Sequence, residues 1–126
     1  MMNSIQFSKQ KIIIISVLII TALFFTLFFY MRSDIATPEK IARWINSGAL
    51  IVDVRTPEEF AAGNYKGSIN IPLSELEKNL HFFGDKKGKI IVYCRTGNRS
   101  GKAKKILIEN GFENVINGGG LKDMLK

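Results

Sequence analysis

Cys94, the only cysteine among the 126 residues, opens a polar, arginine-containing run that could carry nucleophilic chemistry. The apolar stretch 90–93 precedes it, and a helix-like segment from Gly101 to Asn110 follows it. A thiol at such a strand-to-helix turn faces backbone amides and the positive end of the helix dipole, which both favour an anion. We therefore expect a thiolate, with an anion bound beside it. The candidate nucleophile and its loop comprise Cys94, Arg95, Thr96, Gly97, Asn98, Arg99 and Ser100.

The spacing within this loop limits what the thiolate can attack. Four residues separate Cys94 from Arg99, whereas cysteine-based phosphatases place five between their cysteine and arginine to wrap a tetrahedral oxyanion. A shorter loop leaves less room for phosphate but can enclose a single extra sulfur atom. Backbone N–H groups that point inward would stabilise a persulfide anion on Cys94, as the donors of an oxyanion hole stabilise oxygen.

Strand and helix signals alternate along the chain around this loop. Short, continuously apolar runs predict strands, whereas capping residues predict the helices between them. This alternation indicates an α/β fold with a parallel sheet covered on both faces. The predicted strands are Leu50–Val54, Ser68–Ile71, Lys89–Tyr93 and Val115–Ile116.

Several helix ends can be read from capping residues. Thr37 followed by Pro38 predicts an N-cap with proline at the first helical position. Capping boxes at 56–59 and 74–77 predict two further helices, the second running to about Phe82. The pair Asn110-Gly111 predicts the end of the helix that follows Cys94.

Two charged residues, Asp53 and Arg55, fall with the Cys94 loop at the carboxyl ends of predicted strands, where open α/β sheets bind ligands. One interpretation is a salt-bridged pair that braces the strand end. The other is that Asp53 orients an arginine of the loop, namely Arg99. Both interpretations assign the two residues a supporting position at the site.

Composition and motifs argue against several other kinds of site. The only histidine, His81, lies far along the chain from the loop and is expected at the surface or in packing, so we predict no metal site and no cofactor. Segment 34–126 carries 15 Lys and Arg against 11 Asp and Glu. This excess of cations suits a small anionic substrate or a lipid surface, and no motif favours nucleic acid.

The segment 12–30 has no charge, proline or glycine. As a helix it would span about 28 Å, close to the hydrocarbon thickness of a bilayer. The residues after it offer poor signal-cleavage sites, which favours an uncleaved anchor over a removed signal peptide. Lys9 and Lys11 precede the segment without acidic residues, which favours a domain on the extracytoplasmic, or periplasmic, side. We predict an N-terminal flank at 1–11, a transmembrane helix at 12–31 and one domain at 35–126.

Three runs and the Cys94 loop together resemble the rhodanese family over roughly residues 35–126. The runs are Asp53–Phe60, Gly67–Pro72 and Asn117–Asp123, in matching order and spacing. The resemblance implies a three-layer fold with a five-stranded parallel sheet. It also implies transfer of a sulfane sulfur through a persulfide on Cys94, with 95–99 as the active-site loop. One departure is Asn64, which stands where the family commonly has histidine.

The chain most resembles the small, single-domain rhodaneses of the bacterial envelope, here with an N-terminal membrane anchor, and this resemblance implies an enzyme similar to thiosulfate sulfurtransferases. Thiosulfate or a persulfide would be the small anionic donor, bound near Arg95 and Arg99. With no second cysteine, the acceptor would be an external thiol or cyanide. Two alternatives remain: a noncatalytic rhodanese-like binding module at the membrane, and a phosphatase or arsenate reductase on the same fold.

Overall fold

The computed structural model describes residues 3–32 and 34–126, and the apolar N-terminal segment forms one helix, α1 (Ser4–Arg32). Its stretch Ile5–Phe29 is long and apolar enough to cross a membrane, by length and composition. The helix begins well before the predicted start at residue 12, because residues 4–11 contain neither proline nor glycine. The rest of the described chain, Asp34–Lys126, forms a separate compact unit.

A parallel sheet lies at the centre of the unit Asp34–Lys126. The strands are β1 (Leu50–Asp53), β2 (Ile69–Asn70), β3 (Lys89–Cys94) and β4 (Asn114–Gly120). Each hydrogen-bonded pair of strands is parallel, and the spatial order is β2-β1-β3-β4. The central pair is in register from Leu50 with Ile90 to Asp53 with Tyr93. Both inner strands therefore end at the same edge of the sheet.

The expectation of five strands is wrong for the described residues, which form four. At the position where a fifth strand would pair with β4, a single parallel bridge joins Ile35 to Asn117. The Ala36 N–H donates to the Asn117 carbonyl at 2.8 Å. The pairing stops there because Thr37 caps the next helix and Pro38 has no N–H to donate.

The helices confirm most of the predicted caps. The Thr37 side chain caps α2 (Pro38–Asn46), and Thr56 and Glu59 form the capping box of α3 (Pro57–Ala61). The predicted helix at Ser74 is wrong, since two 3₁₀ helices, Leu73–Glu75 and Glu77–Phe83, occupy this segment. Asn79 interrupts them with non-helical backbone angles. The α-helices of this unit are α2 (Pro38–Asn46), α3 (Pro57–Ala61), α4 (Asn98–Glu109) and α5 (Leu121–Met124).

The core has two apolar layers, one on each face of the sheet, so the fold has the three layers predicted. Alternate residues of β3 enter different layers, as the two-residue period of a strand requires. Ile91 and Tyr93 pack with α2 and α5 on one face, around Ile41 and Met124. On the other face, Ile90, Val92 and Cys94 pack toward α4, together with Ala103 and Leu107. This alternation places the thiol under the start of α4.

Candidate active site

The loop after Cys94 is a tight connection between β3 and α4. β3 ends at Cys94 and α4 begins at Asn98, three residues before the predicted helix start. Gly97 is the N-cap, with a left-handed φ of 93° that favours glycine. A Cβ at Gly97 would also lie 2.8 Å from Ile35 Cδ1. Arg99 and Ser100 therefore belong to the first turn of α4.

The Cys94 side chain is completely buried and its sulfur is surrounded by hydrogen-bond donors. The Gly97 N–H donates to Sγ at 3.1 Å. The Ser100 hydroxyl lies 3.4 Å from the same sulfur, in a contact where either group can be the donor. A loop amide and the first turn of a helix thus converge on one atom, as expected for a stabilised sulfur anion.

The ionisation of Cys94 reflects a balance between burial and these donors. Burial raises the pKa of the thiol, whereas the Ser100 hydroxyl and the amides of Ser100, Thr96 and Gly97 lower it. The net pKa lies below the ordinary value of the thiol. The donors therefore outweigh the desolvation of the charged form.

Arg99 is held by a glutamate that the sequence reasoning did not assign to the site. Two of its guanidinium N–H groups donate to the carboxylate of Glu59, at 2.7 and 2.8 Å. The same carboxylate accepts from the Thr56 amide at 3.0 Å, so the capping box of α3 fixes it in place. Hydrogen bonds from Arg99 and then from Thr56 lower the pKa of Glu59 to about 2.

The interpretation in which Asp53 orients Arg99 is wrong, because Asp53 binds Arg55 instead. The Arg55 guanidinium donates to both carboxylate oxygens of Asp53, at 2.6 to 3.0 Å. Arg55 also donates to the Gly63 carbonyl at 2.7 Å. Both residues are buried, so the pair braces the end of β1 and the segment after α3. Asn64, the departure noted above, lies in that segment and donates to the Phe60 carbonyl of α3.

The remaining loop residues lie at the surface. Arg95, Thr96 and Asn98 are exposed, in contrast to the buried Cys94, Gly97 and Ser100. The structure thus gives the two loop arginines different positions. Arg99 is fixed in an ion pair beside the thiol, and Arg95 extends into solvent.

A second residue missed by the sequence reasoning is Asn117, on the neighbouring strand β4. Its side chain is 2% exposed. It donates to the Gly97 carbonyl at 2.9 Å and accepts from the Ser100 hydroxyl at 2.7 Å. The signal that could have revealed it is a lone polar residue between the apolar end of a strand and a glycine run.

Comparison with known proteins identifies the family of this unit. The family model for the rhodanese-like domain matches residues 37–124. The chain belongs to the rhodanese-like family. This domain accounts for the parallel sheet, the helices on both faces and the Cys94 loop.

Two solved structures and one sequence relative illustrate the similarity of this rhodanese-like domain to others. Thiosulfate sulfurtransferase PspE of Escherichia coli (strain K12) is 45% identical over 74 residues, which cover 58% of this chain and 71% of that protein. The structure of a rhodanese with anions from E. coli has a TM-score of 0.58 and 43% identity, covering 60% and 91% of the two chains. A human single-domain sulfurtransferase, TSTD1, has a TM-score of 0.66 and 27% identity, covering 73% and 95%.

Proposed function

We propose that the protein is a sulfurtransferase that carries a sulfane sulfur as a persulfide on Cys94. The observation that carries this proposal is the convergence of the Gly97 amide and the Ser100 hydroxyl on a buried Sγ, at 3.1 and 3.4 Å. Similarity to named thiosulfate sulfurtransferases supports the same reaction class. The loop of four residues between Cys94 and Arg99 favours sulfur over phosphate.

The first half-reaction loads the enzyme. The Cys94 thiolate attacks the outer sulfur of thiosulfate, and a bond forms between Sγ and that sulfur. The S–S bond of thiosulfate breaks, and sulfite leaves with the electron pair. The negative charge of the thiolate ends on the outer sulfur of the persulfide. The donors around Cys94 stabilise this anion, and the exposed Arg95 attracts the anionic donor.

The second half-reaction returns the enzyme to its starting state. The thiolate of an external acceptor, or cyanide, attacks the outer sulfur of the persulfide and forms a bond to it. The persulfide bond breaks, and Cys94 leaves as a thiolate. The chain has no second cysteine that could take the sulfur. The reaction is therefore a two-step, ping-pong exchange with two external substrates.

The test is mass spectrometry of the full-length protein, purified in detergent and incubated with thiosulfate. We expect the protein mass to increase by one sulfur atom, located on the peptide that contains Cys94. Cyanide added afterwards should remove this mass as thiocyanate. A protein that gains no sulfur, but hydrolyses a phosphate ester or reduces arsenate, would contradict the proposal and favour another reaction on this fold.

We further propose that α1 is an uncleaved anchor and that the rhodanese-like domain lies on the extracytoplasmic side. The apolar stretch Ile5–Phe29 supports the membrane assignment. Lys9 and Lys11 precede most of this stretch and support the extracytoplasmic orientation of the domain. Arg32, which follows the stretch, argues against that orientation.

Protease protection tests this location. In spheroplasts we expect external protease to digest the domain 34–126, and untreated membranes should contain the full-length chain. Because digestion requires access from outside, a protected domain would place the reaction in the cytoplasm. A shorter, soluble product in untreated cells would instead identify α1 as a removed signal peptide.

A further inference from the structure

The amide of Asn117 has a single orientation, which its partners determine. The Gly119 N–H can only donate, and it lies 2.9 Å from Oδ1. The Gly97 carbonyl can only accept, and it lies 2.9 Å from Nδ2. Oδ1 is therefore the acceptor that faces the active-site loop, and it has no hydrogen to give.

The Ser100 hydroxyl lies between this acceptor and the sulfur. Its oxygen is 2.7 Å from Asn117 Oδ1 and 3.4 Å from Cys94 Sγ. A hydroxyl has one hydrogen to donate. When that hydrogen points to Asn117, Ser100 can only accept from the protonated thiol. When Cys94 is a thiolate, Ser100 can donate to the sulfur only by turning its hydrogen away from Asn117, and the bond to Asn117 is then lost.

The loss of that bond leaves Asn117 satisfied. Oδ1 keeps the hydrogen bond from the Gly119 amide, and Nδ2 keeps its bond to the Gly97 carbonyl. No buried group is left without a partner when the hydroxyl turns, which removes the main energetic penalty of such a rearrangement. The arrangement thus has two satisfied states, one for the thiol and one for the thiolate.

We propose that Asn117 is a positioning residue for sulfur transfer, which competes with the Cys94 sulfur for the single hydrogen of the Ser100 hydroxyl. It holds Ser100 beside Cys94 through its oxygen and fixes the Gly97 carbonyl through its nitrogen. Attack on the donor requires the hydrogen to move to the sulfur. Transfer of charge to the outer sulfur of the persulfide lets the hydrogen return to Asn117. This role rests on the proposed function, because it concerns the ionised state of the Cys94 nucleophile.

The charged groups around the cluster of Asn117, Ser100 and Cys94 also influence the ionisation of Cys94, so the test has to keep them constant. Asp34 is 3.4 Å from Asn117 Nδ2 and is paired with Lys104. Arg99, whose pKa is raised chiefly by its hydrogen bond to Glu59 and also by the Cys94 charge and Asp53, stands in the same turn as Ser100. Substitutions at 117 and 100 keep all of these side chains, and the comparison with and without the Ser100 hydroxyl separates its effect from the loss of the hydrogen bond from Asn117 to Asp34. The groups are Asp34, Asp53, Arg55, Glu59, Arg99 and Lys104.

The test follows the thiolate of Cys94 by its ultraviolet absorbance as the pH is raised. The full-length protein in detergent is titrated, and the spectrum of the Cys94→Ser protein is subtracted to cancel the tyrosines. Asn117→Asp should raise the midpoint by about one pH unit, because a carboxylate holds the hydroxyl hydrogen more strongly and repels the thiolate. Asn117→Ala should lower the midpoint, because the hydrogen is then free for the sulfur.

The same two substitutions in a Ser100→Ala protein supply the decisive comparison. Without the Ser100 hydroxyl, Asn117→Ala should no longer lower the midpoint of the Cys94 titration. Asn117→Asp should still raise that midpoint, but only by the part that the added negative charge causes. The matched control is Asn114→Asp on the same strand. The Asn114 side chain donates to the Lys87 carbonyl at 2.8 Å, away from the Cys94 loop, so this substitution should leave the midpoint unchanged.

Two results would overturn the proposal. One is a shift of the same sign for both substitutions at 117, and the other is an equal shift with and without Ser100. If one variant does not fold, the other still decides through its dependence on Ser100. The titration uses no sulfur donor, so a failure of sulfur transfer and a failure of this competition are observed separately.

Discussion

Cys94→Ser is expected to abolish sulfur transfer and leave the fold intact. Serine has nearly the same shape, but its hydroxyl cannot form a persulfide and is a far weaker nucleophile near neutral pH. No other cysteine can replace the thiol. We expect turnover of thiosulfate with cyanide to fall to the uncatalysed background, a loss of at least about 10³-fold.

The measurement combines steady-state kinetics with thermal unfolding of the full-length protein. Cys94→Ala serves as the second variant, because it removes the hydroxyl as well as the sulfur. Cys94 packs in a core layer with Ala103 and Leu107, so its substitution could affect stability as well as chemistry. Melting temperatures close to the wild-type value would show that the loss of activity comes from the missing thiol. Turnover of more than a few per cent in either variant would disprove a persulfide mechanism.

Gly120→Ala should damage the active site through the backbone of the loop. A Cβ at Gly120 would lie 2.4 Å from the Arg95 carbonyl oxygen, which is about 1 Å closer than an ordinary contact. The oxygen belongs to the backbone, and a Cβ is bonded directly to the Cα with no freedom to rotate away, so the residue after Cys94 has to move. A displacement of this size at a catalytic centre lowers the rate by about 10²-fold. We expect that loss in kcat/KM for thiosulfate.

Gly118→Ala is the matched comparison two residues away on the same strand. There the new Cβ would lie 2.6 Å from Met124 Sδ, at the flexible end of a side chain in the core. This substitution should lower the melting temperature but keep most of the activity at temperatures well below unfolding. If Gly120→Ala were as active as Gly118→Ala, the contact between β4 and the loop would have no catalytic importance.

Local signals in the sequence predicted the parts of the fold that depend on neighbouring residues. Thr37 with Pro38 and Thr56 with Glu59 do form caps, because each cap involves backbone within three residues. The capping box predicted at Ser74 does not begin an α-helix, and the cause is again a local interaction. Asn79 donates from its side chain to the Glu75 carbonyl and has non-helical angles, so the backbone takes two short 3₁₀ helices instead.

Pairings between distant residues could not be predicted in the same way. Glu59 was recognised as a capping residue, yet its other partner, Arg99, comes 40 residues later and meets it only in the folded chain. Asp53 had two plausible arginine partners, and the chain alone did not decide between Arg55 and Arg99. The strand-to-helix turn after Cys94 could be predicted because the strand end, Gly97 and the helix start all lie within residues 94–98.

The parallel bridge at Ile35 makes the active site sensitive to where the protein is truncated. Ile35 is half-buried, and its side chain lies against Gly97 and Gly119, where added Cβ atoms would come within 2.8 and 3.0 Å of it. Asp34 binds Lys104 on α4. A soluble form that begins at Thr37, where the family match starts, would lack both contacts. The loop after Cys94 would then lose the packing of Ile35 against Gly97. The choice of first residue therefore affects the geometry of the Cys94 thiol in such a preparation.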